Sequence, residues 1–441
     1  MSRQQRESAL AEEGVVTDLT HEAEGVVKAG KTCFVAGALP GERVRFRRVR
    51  KCRQHDDGEL EAVLEPSPQR VVPRCAHFGV CGGCALQHLE PGAQLAIKQR
   101  ELRESLFRLG GVSPVEWLEP LAGPIWGYRR RARLSARYVR KKRRALVGFR
   151  ERSAPYVADV QRCEVLAPPV GELLAPLADL LTSLDGRECI PQLEVAVSER
   201  DVALIVRHLE PLAGADLQKL RDFEQQYGVR FYLQARGPDT VRPLGDAPIV
   251  LQYGLPDFDL TLDFLPADFV QVNAAINRKL TSRAVELLGL LPDSRVLDLY
   301  CGLGNFTLPI ARRTREVVGV EGDAGLIERA CANAVRNGVG NARFHVADLA
   351  VAPDLRAPWL QGEYSHVLLD PPRVGAEAML DVIARLAPRR IVYVSCHTGS
   401  LARDVGLLCG ARGYRLLAAG VVDMFPHTTH AESIALLERQ K

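Results

Sequence analysis

The sequence predicts an α/β protein: a Rossmann-like, doubly wound C-terminal domain preceded by an OB-like β-barrel and a β-rich central domain. Three observations carry this expectation. From about Pro266 onward, short apolar strands alternate with helical stretches, and acidic residues recur at the strand ends. The turn Asp298-Leu299-Tyr300-Cys301-Gly302-Leu303-Gly304-Asn305 lies between an apolar strand and a helix, where open α/β sheets bind their ligands. Before residue 68 the chain breaks instead into short segments punctuated by Gly25, Gly30, Gly37, Pro40-Gly41 and Asp57-Gly58.

The barrel is expected over residues 10–68. Val44-Arg45-Phe46-Arg47 alternates apolar and basic residues, as a half-buried strand does, and Leu60, Ala62 and Leu64 begin a second alternation. Pro66-Ser67-Pro68 marks its end. A central domain is expected over 69–265. It opens on a cysteine-rich segment, has helical character within 93–125 that is expected to pack on the C-terminal domain, and reads as β-rich from Trp126 to about Leu265. The C-terminal domain, 266–441, offers strands at Arg295–Leu299, Val317–Val320, Phe344–Val346, His366–Leu369 and Ile391–Val394. Helices are predicted at Leu326–Val335 and Ala376–Leu386, and Tyr414–Phe425 with Ser433–Glu438 forms a closing hairpin.

A chain of 441 residues, 46% of them hydrophobic, can fill more than one core. Its net charge of +4 is too small to point to a nucleic acid, so that signal has to come from local clusters. Met1 to Glu13 is polar without an apolar stretch, which argues against a secretory leader, and no segment has the length of a membrane span. A cytoplasmic monomer with no membrane association and no obligate protein partner is expected. Eleven cysteines in so long a chain do not suggest a disulfide scaffold. Cys33, Cys52, Cys189, Cys331 and Cys409 show no spacing pattern and read as ordinary buried thiols.

The two glycines of the turn permit close backbone approach to a ligand at a helix N-terminus. A dinucleotide fingerprint carries a third glycine, and Thr307 stands there instead, which weakens that reading. Glu321 ends the next strand, where an acidic side chain can accept both hydroxyls of a ribose, and Asp348 follows the third strand, placed for an adenine amino group. The acidic strand ends, taken in order, point to S-adenosylmethionine. The alternative is a tight strand-to-helix turn with no ligand. Cys301 reads as a small packing residue.

Asp370-Pro371-Pro372-Arg373 resembles the Asp-Pro-Pro-aromatic signature of amino-methylating enzymes, which need no thiol. This chain has Arg373 in place of the aromatic residue, and Ser395-Cys396 follows a later strand. C5 of a pyrimidine is a poor nucleophile. A thiolate adding at C6 makes C5 enolate-like, and a base must then remove the C5 proton. Cys396 is the candidate nucleophile. Glu432 is the candidate base, with His430 as the alternative. The plain alternatives are a buried strand-end cysteine and a surface carboxylate.

Cys75, Cys81 and Cys84 are spaced CX5CX2C with adjacent glycines, and Cys163 is a candidate fourth ligand. Four thiolates suit zinc or a [4Fe-4S] cluster, and the absence of paired CxxC motifs favours the cluster. Two basic runs, Arg129 to Arg144 and Arg47 to Arg53, fall in β-rich regions. Such runs are usually solvated faces, but two of them beside a base-modifying site point to phosphate contact.

Across nearly its whole length the chain resembles the RNA uracil-5 methyltransferase family. The resemblance is carried by Phe269-Val270-Gln271-Val272-Asn273, the glycine turn from Asp298 to Thr307, Val320-Glu321, Asp370-Pro371-Pro372-Arg373, Ser395-Cys396 and His430-Ala431-Glu432. It implies Cys396 as nucleophile and Glu432 as base. It further implies methyl-donor contacts from Gln271, Tyr300, Asn305, Glu321, Asp348 and Asp370, and a [4Fe-4S] cluster on Cys75, Cys81, Cys84 and Cys163. The barrel is similar to a TRAM domain, and barrel plus cluster together imply 23S rRNA as substrate, with another 23S uridine or tRNA as the alternative. A redox-responsive RNA-binding protein on an inactive methylase fold is the reading from a different class, and the intact Cys396 and Glu432 oppose it. A radical methylase would leave one iron open, and Cys163 closes the set. Two positions depart from the family pattern: His397-Thr398 replaces Asn-Pro after the nucleophile, and Glu164 replaces Pro after Cys163.

Overall fold

The computed structural model of the protein describes residues 11–245 and 248–440, so the polar start read from Met1 lies outside the described residues up to position 10. The chain forms two compact units. The first holds the chain up to Ile97 with two short returns, Arg150–Ala158 and Pro426–Thr429. The second holds Lys98–Phe149, Asp159–Phe425 and His430 onward.

In the first unit, strands β1 (Glu12–Leu19), β2 (Glu24–Val27), β3 (Cys33–Ala36), β4 (Arg43–Lys51) and β5 (Asp56–Glu65) close a barrel in the order β1-β2-β3-β5-β4. Closure leaves no unpaired sheet edge. The alternation at Val44 and Phe46 points inward, where both pack with Val16, Val27, Cys33 and Val35. At Gly58 a β-carbon would come within 2.8 Å of the Cys33 sulfur, so the barrel interior excludes a side chain there. Beside the barrel, Leu19 and Leu39 pack with Leu86 and Leu89 from the turn-rich segment that carries Cys75, Cys81 and Cys84.

In the second unit, β7 (Arg131–Val139), β8 (Arg144–Gly148), β9 (Gln192–Val197), β10 (Val202–Arg207), β11 (Arg230–Gln234) and β12 (Arg242–Pro243) form a sheet in the order β12-β11-β10-β9-β7-β8. Two helices in this stretch, Leu174–Ser183 and Gly214–Tyr227, depart from the purely β-rich expectation. In the second of these the buried apolar residues are only Leu220 and Phe223, a stripe too narrow to stand out in a polar sequence. The strands β13 (Leu251–Leu255) and β14 (Leu260–Phe264) make a separate hairpin.

The larger sheet combines β6 (Glu116–Trp117) with β15 (Arg295–Leu299), β16 (Glu316–Glu321), β17 (Ala342–Val346), β18 (His366–Leu369), β19 (Arg390–Ser395), β20 (Tyr414–Val422) and β21 (Glu432–Arg439). Its order is β17-β16-β15-β18-β19-β21-β20-β6. The five strands from β17 to β19 are parallel, and β21 inserts antiparallel between β19 and β20. Strand order reverses at β15/β18, the crevice where such sheets bind ligands. Leu102 and Leu106, from the helix Pro91–Arg108, are wholly buried in the core on one face of this sheet with Leu297, Tyr393 and Leu401.

Among the described residues no helix is long and apolar enough to cross a membrane. The thiols read as ordinary and buried divide: Cys33 is buried, Cys52, Cys189 and Cys409 are half-buried, and Cys331 is exposed. The basic runs are less available than their sequence suggests. On β7 only the alternate positions Arg133 and Arg137 reach solvent fully, whereas Arg131 turns inward to the Pro266 carbonyl. In the barrel, Arg47 pairs with Glu61, Arg48 with Glu12 and Asp56, and Arg50 with Asp57.

Candidate active site

A cavity of about 600 Å³ opens in the second unit at the carboxyl ends of the parallel strands. Its walls include Gln271, Tyr300, Asn305, Glu321, Asp370, Cys396, His430 and Glu432, so most of the site residues expected from sequence converge on one space. Asp348 does not: it is exposed, and its carboxylate accepts the Ala350 N–H at 2.9 Å. Its neighbour Leu349 touches the site indirectly, its carbonyl accepting the Tyr300 hydroxyl at 3.2 Å.

The glycine turn is shaped by backbone that ordinary residues avoid. Tyr300, Gly302 and Gly304 all have positive φ, at 65°, 55° and 96°. The Gly302 N–H donates to Glu321 at 3.2 Å, which ties the turn to the end of the next strand. Thr307, standing where a dinucleotide fingerprint has its third glycine, donates to the buried Asp298 at 2.5 Å. Burial, with smaller contributions from Asp370 and Glu321, pushes the Asp298 carboxyl up to about 8. Cys301 is buried and its thiol is pushed well above the usual range by burial, which fits a packing residue.

Asn305 is held by residues that motif reading did not single out. Its carbonyl oxygen accepts from the Tyr253 hydroxyl at 3.0 Å and from the Asn277 amide at 2.9 Å, and its own amide donates back to Asn277 at 3.0 Å. Asn277 lies one helical turn beyond Asn273, which caps the helix Ala274–Leu288 through the Ile276 N–H. That spacing is a legible signal. Tyr253 arrives from the β13–β14 hairpin, and nothing local in the sequence announces it. Phe269, 70% exposed, and Phe425 add aromatic surface to the cavity.

Strand register brings the two proposed reacting groups together. The antiparallel β19–β21 ladder ends on the pair Ser395 and Ser433, so Cys396 leaves β19 at the end of the ladder where Glu432 begins β21. Both Cys396 and Glu432 line the cavity. Glu432 is 2% exposed, and burial followed by the Asp370 carboxylate pushes it up to about 8. Asp370 is itself raised, by burial and then by Glu321. The Cys396 thiol is raised by burial and by Glu432 and Asp370, with Arg373 opposing them. His430 is lowered by burial and by the nearby cations Arg373, Lys98 and Arg129, and its ring nitrogen lies 3.4 Å from the Arg373 guanidinium.

The departure at His397-Thr398 has a structural answer. His397 is the N-cap of the helix Thr398–Ala411, its ring nitrogen accepting the Ser400 N–H at 3.1 Å. Asparagine serves the same role at N-caps. Thr398, at the position where a proline would stiffen the first turn, instead donates to Glu101 at 3.0 Å.

The profile of the tRNA (uracil-5-)-methyltransferase family matches residues 202–440. The chain is 50% identical over 430 residues, 96% of each chain, to the 23S rRNA (uracil(1939)-C(5))-methyltransferase RlmD of Xanthomonas axonopodis pv. citri (strain 306). It is also 50% identical over 444 residues, the full length of both chains, to the protein of the same name from Xylella fastidiosa (strain Temecula1 / ATCC 700964). Among solved structures, the Pyrococcus abyssi tRNA (uracil-54, C5)-methyltransferase in complex with S-adenosyl-L-homocysteine shares the fold, with a TM-score of 0.72 at 24% identity over 97% of this chain and all of that one. The chain belongs to the tRNA (uracil-5-)-methyltransferase family.

Proposed function

We propose that the protein transfers a methyl group from S-adenosylmethionine to C5 of a uridine in 23S rRNA. The observation that supports the chemistry is that Cys396 and the buried Glu432 line one cavity with the glycine turn, Glu432 acting on the Cys396 thiol. The choice of RNA rests on the near-full-length relatives, which are named for 23S rRNA, whereas the family profile is named for tRNA.

S-adenosylmethionine supplies an electrophilic methyl on a sulfonium. Gln271, Tyr300, Asn305, Glu321 and Asp370 line the part of the cavity that would hold it, and Asp348 is proposed to reach it from outside that lining. In the reaction, the Cys396 thiolate, favoured by Arg373, adds to C6 of the uracil. The electron pair moves onto C5 and O4, C5 forms the bond to the methyl carbon, and the donor leaves as a thioether. Glu432 then takes the C5 proton, the C6–sulfur bond breaks and the thiolate returns. Glu432 is preferred over His430 because its buried carboxylate is among the charges that act on the Cys396 thiol, whereas His430 sits beside the Arg373 guanidinium.

Residues 10–68 are proposed as a TRAM-type RNA-contacting barrel, 69–265 as the central domain and 266–441 as the methyltransferase domain. A [4Fe-4S] cluster is proposed on Cys75, Cys81, Cys84 and Cys163. The donor chemistry supports it, four thiols suiting iron–sulfur ligation better than a hard cation. The Cys81 sulfur already accepts the Gly83 N–H at 3.4 Å, the kind of hydrogen bond that tunes cluster thiolates. The methyl transfer needs no electron from a cluster, so its proposed role is structural or in positioning RNA.

The test uses 5-fluorouridine-substituted 23S rRNA fragments and, separately, tRNA, each with S-adenosylmethionine. Fluorine at C5 blocks proton removal and traps the adduct. A denaturation-resistant adduct mapped to Cys396 with the 23S fragments alone is the expected result. Adduct with tRNA reassigns the substrate, and no adduct with either RNA rejects the covalent route.

A further inference from the structure

We propose that the hairpin tip between β4 and β5 is a divalent transition-metal site of the zinc class, formed by Cys52, His55 and Asp57. The thiol sulfur, an imidazole nitrogen and a carboxylate oxygen of these residues all lie within 4.8 Å of one another. Donors of a tetrahedral zinc ion sit roughly 3.5 Å apart, given bonds of about 2.0–2.3 Å. The His55–Asp57 pair already stands at 3.6 Å, close to that spacing.

Each ligand is oriented by a neighbour that is not itself a ligand. The His55 ring stacks on Phe34, centroids 4.4 Å apart and planes 25° from parallel. The Arg50 guanidinium holds the second oxygen of Asp57 at 2.5 Å. Lys31 donates to the Cys52 carbonyl and, at 2.7 Å, to Asp56, and the Cys52 N–H closes the turn on the His55 carbonyl at 3.0 Å. Metal-ligating side chains are generally fixed in this way by partners outside the coordination sphere. A soft sulfur, a borderline nitrogen and one hard oxygen select a zinc-like ion over magnesium or calcium. Three protein ligands leave a fourth position for water.

The full chain, stripped with a mild chelator, is titrated with Zn2+ by calorimetry. A Co2+ titration follows, read as a difference spectrum so that any iron–sulfur absorbance cancels. One equivalent is expected, with a thiolate-to-cobalt charge-transfer band, and Zn2+ should raise the melting temperature. Cys52→Ser, His55→Ala and Asp57→Asn should each weaken binding at least tenfold, and Cys52→Ser should abolish the band. Melting of the metal-free variants at the wild-type temperature shows that they fold, and any one that folds carries the test. A wild-type chain that takes up no Zn2+ overturns the proposal, as does uptake or a charge-transfer band that survives in Cys52→Ser.

Discussion

Cys396 and Glu432 are both held toward their protonated forms by the cavity they share, and this sets how the reaction should respond to pH. In the proposed reaction the working forms are the thiolate and the carboxylate. Because burial and Asp370 push Glu432 up to about 8, and burial with Glu432 and Asp370 raises Cys396 as well, the active forms gain population as pH rises. The kcat/KM profile should therefore climb through about pH 8, and Asp370→Asn should move that limb to lower pH at reduced rate. An unmoved limb would show that Asp370 does not set the protonation of Glu432. Cys396→Ala should abolish both turnover and adduct. Glu432→Gln should let a methylated RNA–protein adduct accumulate on ordinary uridine, measured on a denaturing gel.

At the scale of elements, the helix Thr398–Ala411 begins just after Cys396, the proposed nucleophile. Its cap is a histidine rather than an asparagine, so the cap can be removed without touching Cys396. His397→Ala should cost about 1 kcal/mol of stability, and His397→Asn should restore most of it. Thermal or urea melting measures both, and an unchanged His397→Ala midpoint would mean the ring does not cap in solution. The barrel strands carry a different lesson. Ion pairs with Glu12, Glu61, Asp56 and Asp57 occupy much of the basic run on β4, so fewer arginines remain for phosphate than its composition implies. Binding of 23S fragments should still weaken with salt, and the slope of log K against log salt counts the phosphates engaged.

Within the second unit as a whole, one buried pair links distant parts of the chain. Lys98, 1% exposed, donates to Asp423 at 2.7 Å and to the Phe425 carbonyl at 3.0 Å, just past β20 where the chain leaves for β21. Burial lowers the Lys98 pKa, with Asp423 opposing it. Breaking such a pair leaves one charge buried and unpaired, so Lys98→Met alone should destabilise by about 3–5 kcal/mol. The double variant Lys98→Met/Asp423→Leu should recover much of that loss, as read by denaturant melting. Equal loss in the single and double variants would show that packing, not charge, is at stake.

What the sequence by itself determined lies where a local pattern has one physical solution. The glycine turn requires positive φ, the short apolar stretches that lead to Asp298, Glu321 and Asp370 are buried parallel strands, and Cys396 follows directly from such a strand. Closely spaced glycines and alternating residues likewise made the barrel legible. The tertiary structure decided what depends on partners far away in sequence. Only the insertion of β21 between β19 and β20 brings Glu432 into the cavity that Cys396 lines, because strand order and register come from packing and pairing that no local window contains. Tyr253 reaches Asn305 across 52 residues, and Asp348 turns out to solvent beside a cavity that its strand-end position suggested it would enter. Cys52 is a different case: His55 and Asp57 lie close to it in sequence, and the closing of one hairpin brings the three donor atoms together.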